Sequence, residues 1–183
     1  MSKPIQIRLT GAGGQGLITA GVILAEAAVL DGRFVVQTQS YGPEARLGSS
    51  KAEVIISDDP IANPQVKTPD VLICLSEESV AKYGGECHSE TLVVLDSTNI
   101  EKAKPPRGQV LRLPITQAAI DAGGKMVANV VALGIVNTLA QVVQSESLRA
   151  AILHRVPEKY RDLNIRALDA AEALVSEALA AAT

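Results

Sequence analysis

The sequence predicts an α/β domain: a doubly wound, mostly parallel sheet with helices on both faces. Three observations support this. Short aliphatic runs alternate along the chain with longer Ala- and Leu-rich stretches of helical spacing, the order expected of strand–helix units. The first such run enters Gly11-Ala12-Gly13-Gly14-Gln15-Gly16, and a helical pattern follows directly. Aromatic residues make up only 2% of the chain, with no Trp, so the core must be built from Ala, Val, Ile and Leu, as in helices packed closely on a parallel sheet. Together these describe a Rossmann-like domain occupying residues 1–183 as one unit.

Ile5 to Leu9 reads as the first strand, in a segment that alternates polar and apolar residues from Met1 onward. A helix spans about Leu17 to Leu30 and is closed by Asp31-Gly32. Phe34 to Thr38 is the second strand, completing a unit of βαβ length. Gln39 to Ser50 holds Gly42, Pro43 and Gly48 and reads largely as loop. Ala52 to Ser57 resumes as strand, and the proline-bearing stretch Asp58 to Pro69 is a connection. Val71 to Leu75, Thr91 to Leu95 and Val110 to Leu113 are further strands, with a short helix at Glu77 to Tyr83. Two helices close the domain, about Met126 to Gln144 and about Ile165 to Ala181.

A net charge of −3 gives no electrostatic footprint for nucleic acid or an acidic membrane. No stretch reaches the ~18 uninterrupted apolar residues of a membrane span, and the N-terminus lacks a signal-peptide pattern, so a cytoplasmic location is expected. Two cysteines, Cys74 and Cys87, are too few to hold an iron–sulfur cluster and are not spaced as a CxxC pair. Cys74 lies in an apolar run and is expected in the core. His88 and His154 are isolated and read as surface or helix-end residues. No metal site is expected.

Gly11, Gly13 and Gly16 satisfy GxGxxG between a strand and a helix. Glycines let the backbone turn sharply and approach an anion, and the helix start offers free N–H groups and the positive end of its dipole. A phosphate or pyrophosphate suits such a turn, and so does a plain strand-to-helix corner that binds nothing. A dinucleotide site also needs an acidic residue about twenty positions on. The second strand ends Val36-Gln37-Thr38-Gln39-Ser40, with neither acid nor arginine, and Asp31 lies before that strand. A stand-alone NAD- or FAD-binding enzyme is therefore disfavoured.

Gln39-Ser40-Tyr41-Gly42-Pro43-Glu44-Ala45-Arg46 sets a carboxylate and a guanidinium two residues apart beside a Gly-Pro turn. Arg46 suits bidentate pairing with a phosphate or a partner carboxylate, and an exposed ion pair of little consequence fits equally well.

GAGGQG at Gly11 to Gly16, followed by SYGPEAR at Ser40 to Arg46, resembles the gamma subunit or domain of 2-oxoacid:ferredoxin oxidoreductases, the group acting on pyruvate, 2-oxoglutarate, ketoisovalerate or indolepyruvate. The likeness extends over nearly the whole chain, including Leu95-Asp96-Ser97, Asn129 and Leu133-Gly134. The resemblance implies a subunit of an enzyme that decarboxylates a 2-oxoacid on thiamine diphosphate, passes electrons through iron–sulfur clusters to ferredoxin, and delivers the acyl group to coenzyme A. Thiamine diphosphate, Mg2+ and the clusters would belong to partner subunits: alpha, beta and, where present, a ferredoxin-like delta. This chain would contribute coenzyme A handling and assembly and would be inactive alone, with no catalytic residue of its own. Gly11, Gly13, Gly14, Gln15, Gly16 and Asn129 would serve the cofactor, whereas Tyr41, Gly42, Pro43, Glu44 and Arg46 would lie at an interface or the active-site mouth. A helix-packing amide is the other reading of Asn129.

The family motif usually continues with two glycines after the arginine, where this chain has Leu47-Gly48, so backbone approach there differs. The wording of this segment leans toward the 2-oxoglutarate branch. A nucleotide-sensing or scaffold domain of the same fold is the remaining reading from a different class.

Overall fold

The computed structural model describes residues 3–40 and 49–181. Six strands, β1 (Ile5–Ala12), β2 (Phe34–Ser40), β3 (Ser49–Ser57), β4 (Val71–Cys74), β5 (Leu92–Asp96) and β6 (Gln109–Leu113), form one sheet in the order β2-β3-β1-β4-β5-β6. The helices are α1 (Leu17–Leu30), α2 (Glu77–Tyr83), α3 (Ile115–Ala122), α4 (Ala128–Ala140), α5 (Ser145–Arg155) and α6 (Arg161–Ala181).

The sheet is mixed, which corrects the mostly parallel expectation. β1, β4, β5 and β6 run parallel, but β3 is antiparallel to both β1 and β2. The chain leaves β1, crosses through α1 to the edge strand β2, and returns as β3 into the gap between them. A parallel neighbour needs a crossover of about a dozen residues or more. Only the eight residues 41–48 separate β2 from β3, which favours an antiparallel return. Burial agrees: β3 is nearly all buried, whereas β2 is exposed or half-buried along its length.

The two faces are covered unequally. The larger core lies between the sheet and α1, α3, α4, α5 and α6, with Leu9, Leu24, Val54, Ile73, Leu133 and Ile152 at its centre. The smaller core, on the opposite face, holds Leu72, Cys74, Val80, Tyr83, Cys87, Val93, Leu95 and Ile100, and α2 is the helix that covers it. α1 packs close to the sheet because Gly21 has no side chain: a Cβ there would stand 2.8 Å from Ala52 Cβ. α4 meets α6 the same way, with a Gly134 Cβ falling 2.5 Å from Ala171 Cβ.

The expected long helix from Met126 to Gln144 is divided. α4 stops at Ala140, Gln141 takes a left-handed conformation (φ 47°), and the Asn137 side chain accepts the Val143 N–H at 3.0 Å. α5 then begins at Ser145. No glycine or proline marks this break, so the apolar spacing reads through it. α3, which follows Pro114 and is only eight residues long, is a second helix that spacing alone does not reveal. No helix among the described residues is long and apolar enough to cross a membrane.

Candidate cofactor-binding site

The glycine turn stands at the C-terminal end of β1, a central strand. Gly14 (φ 87°) and Gly16 (φ 72°) occupy the left-handed region that ordinary residues avoid, so the turn can be this tight only with glycine at both positions. The outer side of Gly14 is open, with nothing within 4 Å of where a Cβ would stand. At Gly11 a Cβ would press on the Gln15 amide and stand 3.1 Å from Leu75 Cβ, so a side chain there would displace Gln15 from its place.

Gln15 braces the turn from within. Its Oε1 accepts the Ala12 N–H at 2.6 Å, and its Nε2 donates to Leu75 O at 3.4 Å. The side-chain amide is thus engaged inside the turn, which leaves the glycine backbone as the surface open to a guest.

Asn129, expected at the site from the resemblance, is brought to it by α4. It is 8% exposed, and its Nδ2 donates to Gly16 O at 3.1 Å. This bond clasps the start of α4 to the start of α1. The contact is the helix-packing amide that is one reading of Asn129, and it sets the residue beside the turn.

Neither helix start is capped by a side chain, and neither has an acidic residue in its first turn. The N–H groups of Leu17, Ile18 and Thr19 have no acceptor among the described residues. The free donors and positive dipole end of α1 thus stand beside an exposed glycine turn, the kind of arrangement that suits an anion.

Strand order bears on what kind of anion. In a dinucleotide fold the second strand lies next to the first and brings a carboxylate to the ribose. Here β3 occupies that place and sets Ser49 and Ser50 opposite Ala12 and Gly11. Asp31 lies at the far end of α1, where its Oδ2 accepts the Gln144 N–H at 2.7 Å. Tyr41, Gly42, Pro43, Glu44 and Arg46 lie outside the described residues.

The expected buried position of Cys74 is borne out, and burial pushes its thiol up to about 11. Cys87 is buried in the same cluster, and its thiol is also raised by burial. Neither is poised as a thiolate. Among the described residues no group of His, Cys, Asp and Glu is arranged to hold a metal. His154 is exposed at the end of α5, and His88 Nδ1 accepts the Glu90 N–H within a turn.

One charged cluster on the α2 face escaped the sequence reading. Arg8 is 1% exposed; its guanidinium meets Glu53 at 2.7 Å, Glu86 at 2.5 Å and Val66 O at 2.7 Å, and lies over the Tyr83 ring. It ties β1, β3, the connection after β3 and the turn after α2 together. Asp96, fully buried, similarly fixes the end of β5 to α3 by accepting from Thr116 Oγ1 at 2.5 Å and Asn99 Nδ2 at 2.6 Å.

Fold and site define an α/β domain with a mixed six-stranded sheet, whose first strand runs into an exposed glycine turn clasped between the starts of α1 and α4. Residues 6–174 match the model of the pyruvate ferredoxin/flavodoxin oxidoreductase family, and the chain belongs to that family. It is 45% identical over 166 residues to the 2-oxoglutarate synthase subunit KorC of Methanocaldococcus jannaschii, covering 88% of this chain and 89% of the relative. It also superposes on the gamma subunit of a keto/oxoacid ferredoxin oxidoreductase from Geobacter sulfurreducens with a TM-score of 0.88 and 41% identity, covering 97% and 99% of the two chains. A 2-oxoglutarate:ferredoxin oxidoreductase from Magnetococcus marinus shares the fold, with a TM-score of 0.87 at 23% identity over 97% of this chain and 32% of that one.

Proposed function

We propose that this chain is the gamma-type subunit of a 2-oxoacid:ferredoxin oxidoreductase, of the 2-oxoglutarate branch, and that its glycine turn holds the phosphates of coenzyme A. Membership of the family and the match to gamma subunits along their full length support the subunit role. The likeness to KorC supports the 2-oxoglutarate branch. The observation that carries the cofactor reading is the Gly16–Asn129 clasp, which brings two uncapped, acid-free helix starts to one exposed turn.

Each group then has a part. The Gly14–Gly16 backbone and the first N–H groups of α1 receive a diphosphate; Gln15 and Asn129 keep the turn in shape. Partner subunits supply thiamine diphosphate, Mg2+ and iron–sulfur clusters, where the 2-oxoacid is decarboxylated and electrons leave for ferredoxin. This chain orients the acyl acceptor and docks against the alpha and beta subunits, with Tyr41 to Arg46 at the interface or the active-site mouth.

Gly14→Val tests the reading in the assembled enzyme. The added side chain enters the open space where the phosphate would lie. The KM for coenzyme A is expected to rise by tenfold or more on the scale of a lost charge-assisted contact, about 1.5–3 kcal/mol, with the KM for the 2-oxoacid within about twofold. A parallel rise in both KM values would refute the dedicated role of the turn.

A further inference from the structure

β3 begins at the end of the sheet where β1 runs into the glycine turn, and its first residue is out of keeping with the rest of the interior. Ser49 stands directly opposite Ala12, the last residue of β1. Residues paired in this way carry their side chains on one face, with Cβ atoms about 4.5–5.5 Å apart. The register therefore sets the Ser49 hydroxyl beside the entry to Gly13-Gly14. Ser49 is 1% exposed, and its Oγ is shut off from solvent without a hydrogen-bond partner.

Other buried hydroxyls are bonded. Thr10 Oγ1 donates to Ile73 O at 2.7 Å, Thr91 Oγ1 to Pro69 O at 2.8 Å, and Thr116 Oγ1 to Asp96 Oδ2 at 2.5 Å. The polar side chains around the end of β1 are already engaged. Lys51, two residues along on the same face as Ser49, meets Glu53 Oε1 at 3.1 Å, and the Gln15 amide is taken up by Ala12 N and Leu75 O. A buried hydroxyl left unbonded lowers stability, whereas an alanine would fill the same place without that cost. An orphan of this kind calls for a partner from outside the chain.

Resting on the coenzyme A reading above, we infer that Ser49 is a ligand-contacting residue of the same site, its hydroxyl donating to a diphosphate oxygen of coenzyme A. The backbone N–H groups of the turn and of α1 approach the diphosphate from the helix, and Ser49 adds a donor from the neighbouring strand. A hydroxyl turns to suit its acceptor, and a bond to a charged oxygen is stronger than one between neutral groups.

Ser49→Ala tests the inference by two measurements. In the assembled oxidoreductase the KM for coenzyme A is expected to rise about tenfold. The thermal midpoint of the chain without coenzyme A should stay the same or rise, because alanine removes an unbonded buried group. An unchanged KM overturns the inference. A lowered midpoint overturns it too, since the hydroxyl would then be bonded within the protein. Gly14→Val supplies the third reading. If both residues act on the same diphosphate, Ser49→Ala added to Gly14→Val should change the KM by less than about twofold. A full tenfold loss in that background would put the hydroxyl on another part of the cofactor and refute the assignment. If Gly14→Val raises the KM for coenzyme A and Ser49→Ala does not, only this inference falls; if neither variant acts, the coenzyme A reading falls as well.

Discussion

Gly16→Ala probes the geometry of the site directly. Gly16 sits at φ 72°, and a side chain held in that region costs about 1–2 kcal/mol. The new Cβ would also lie 2.8 Å from Asn129 Nδ2, so the amide must swing away and give up its bond to Gly16 O. That bond is worth about 1 kcal/mol. The total of about 2–3 kcal/mol should lower the thermal midpoint of a chain this size by about 4–12 °C. A double-mutant cycle isolates the clasp. In an Asn129→Ala background the bond is already gone, so Gly16→Ala should cost only the backbone strain, with a coupling of about 1 kcal/mol between the two positions. Thermal unfolding of the four proteins measures it. Full additivity, within about 0.3 kcal/mol, would show that Asn129 and Gly16 do not act together and would remove the link between the two helix starts.

Three other outcomes are expected. Arg8→Met should destabilise the chain by about 3 kcal/mol in denaturant unfolding because it leaves the buried Glu53 carboxylate with only Lys51 and Thr38 as partners, and adding Glu53→Leu should recover part of that loss. Cys74, held near 11 by burial, should resist a thiol reagent at pH 8 in the folded chain and react on unfolding; rapid labelling of the native protein would contradict its placement. The Glu77 carboxylate is pulled below the ordinary glutamate range, first by the Lys102 backbone N–H and further by that of Glu101. A depressed folded value means the contact persists above the ordinary range and is lost as pH falls through the depressed one. The Lys102 amide resonance should titrate there, and Glu77→Gln should abolish the titration.

Much of this architecture can be read from the residues themselves. α1 begins at Leu17 and ends at Leu30 as its spacing and the Asp31-Gly32 stop require, and α2 runs from Glu77 to Tyr83 after Ser76, whose side chain accepts the Ser79 N–H. Strand direction was not legible. Aliphatic runs such as Val54 to Ile56 look alike whichever way they run, and the brevity of the 41–48 connection was the available sign that β3 turns back. The division between α4 and α5 was hidden because Gln141 adopts the left-handed conformation without being glycine. Arg8 was invisible for a different reason: alternation in β1 marks it as facing away from the larger core, and only the packing of α2 and the 58–69 connection turns that face into an interior. At the site, the glycines and Asn129 were legible as a set, but their division of labour was not. Gln15 turns inward as a brace between Ala12 N and Leu75 O, partners that are far apart in sequence and meet only once β1 and β4 pair.

The proposed function requires coenzyme A to dock at the glycine turn. Calorimetric titration of coenzyme A into the assembled complex, wild type and Gly14→Val, measures that without relying on turnover. Saturable binding by the wild type, weakened tenfold or more in the variant, is the predicted result. Equal affinity in the two proteins would contradict it and return the glycine turn to a purely architectural role.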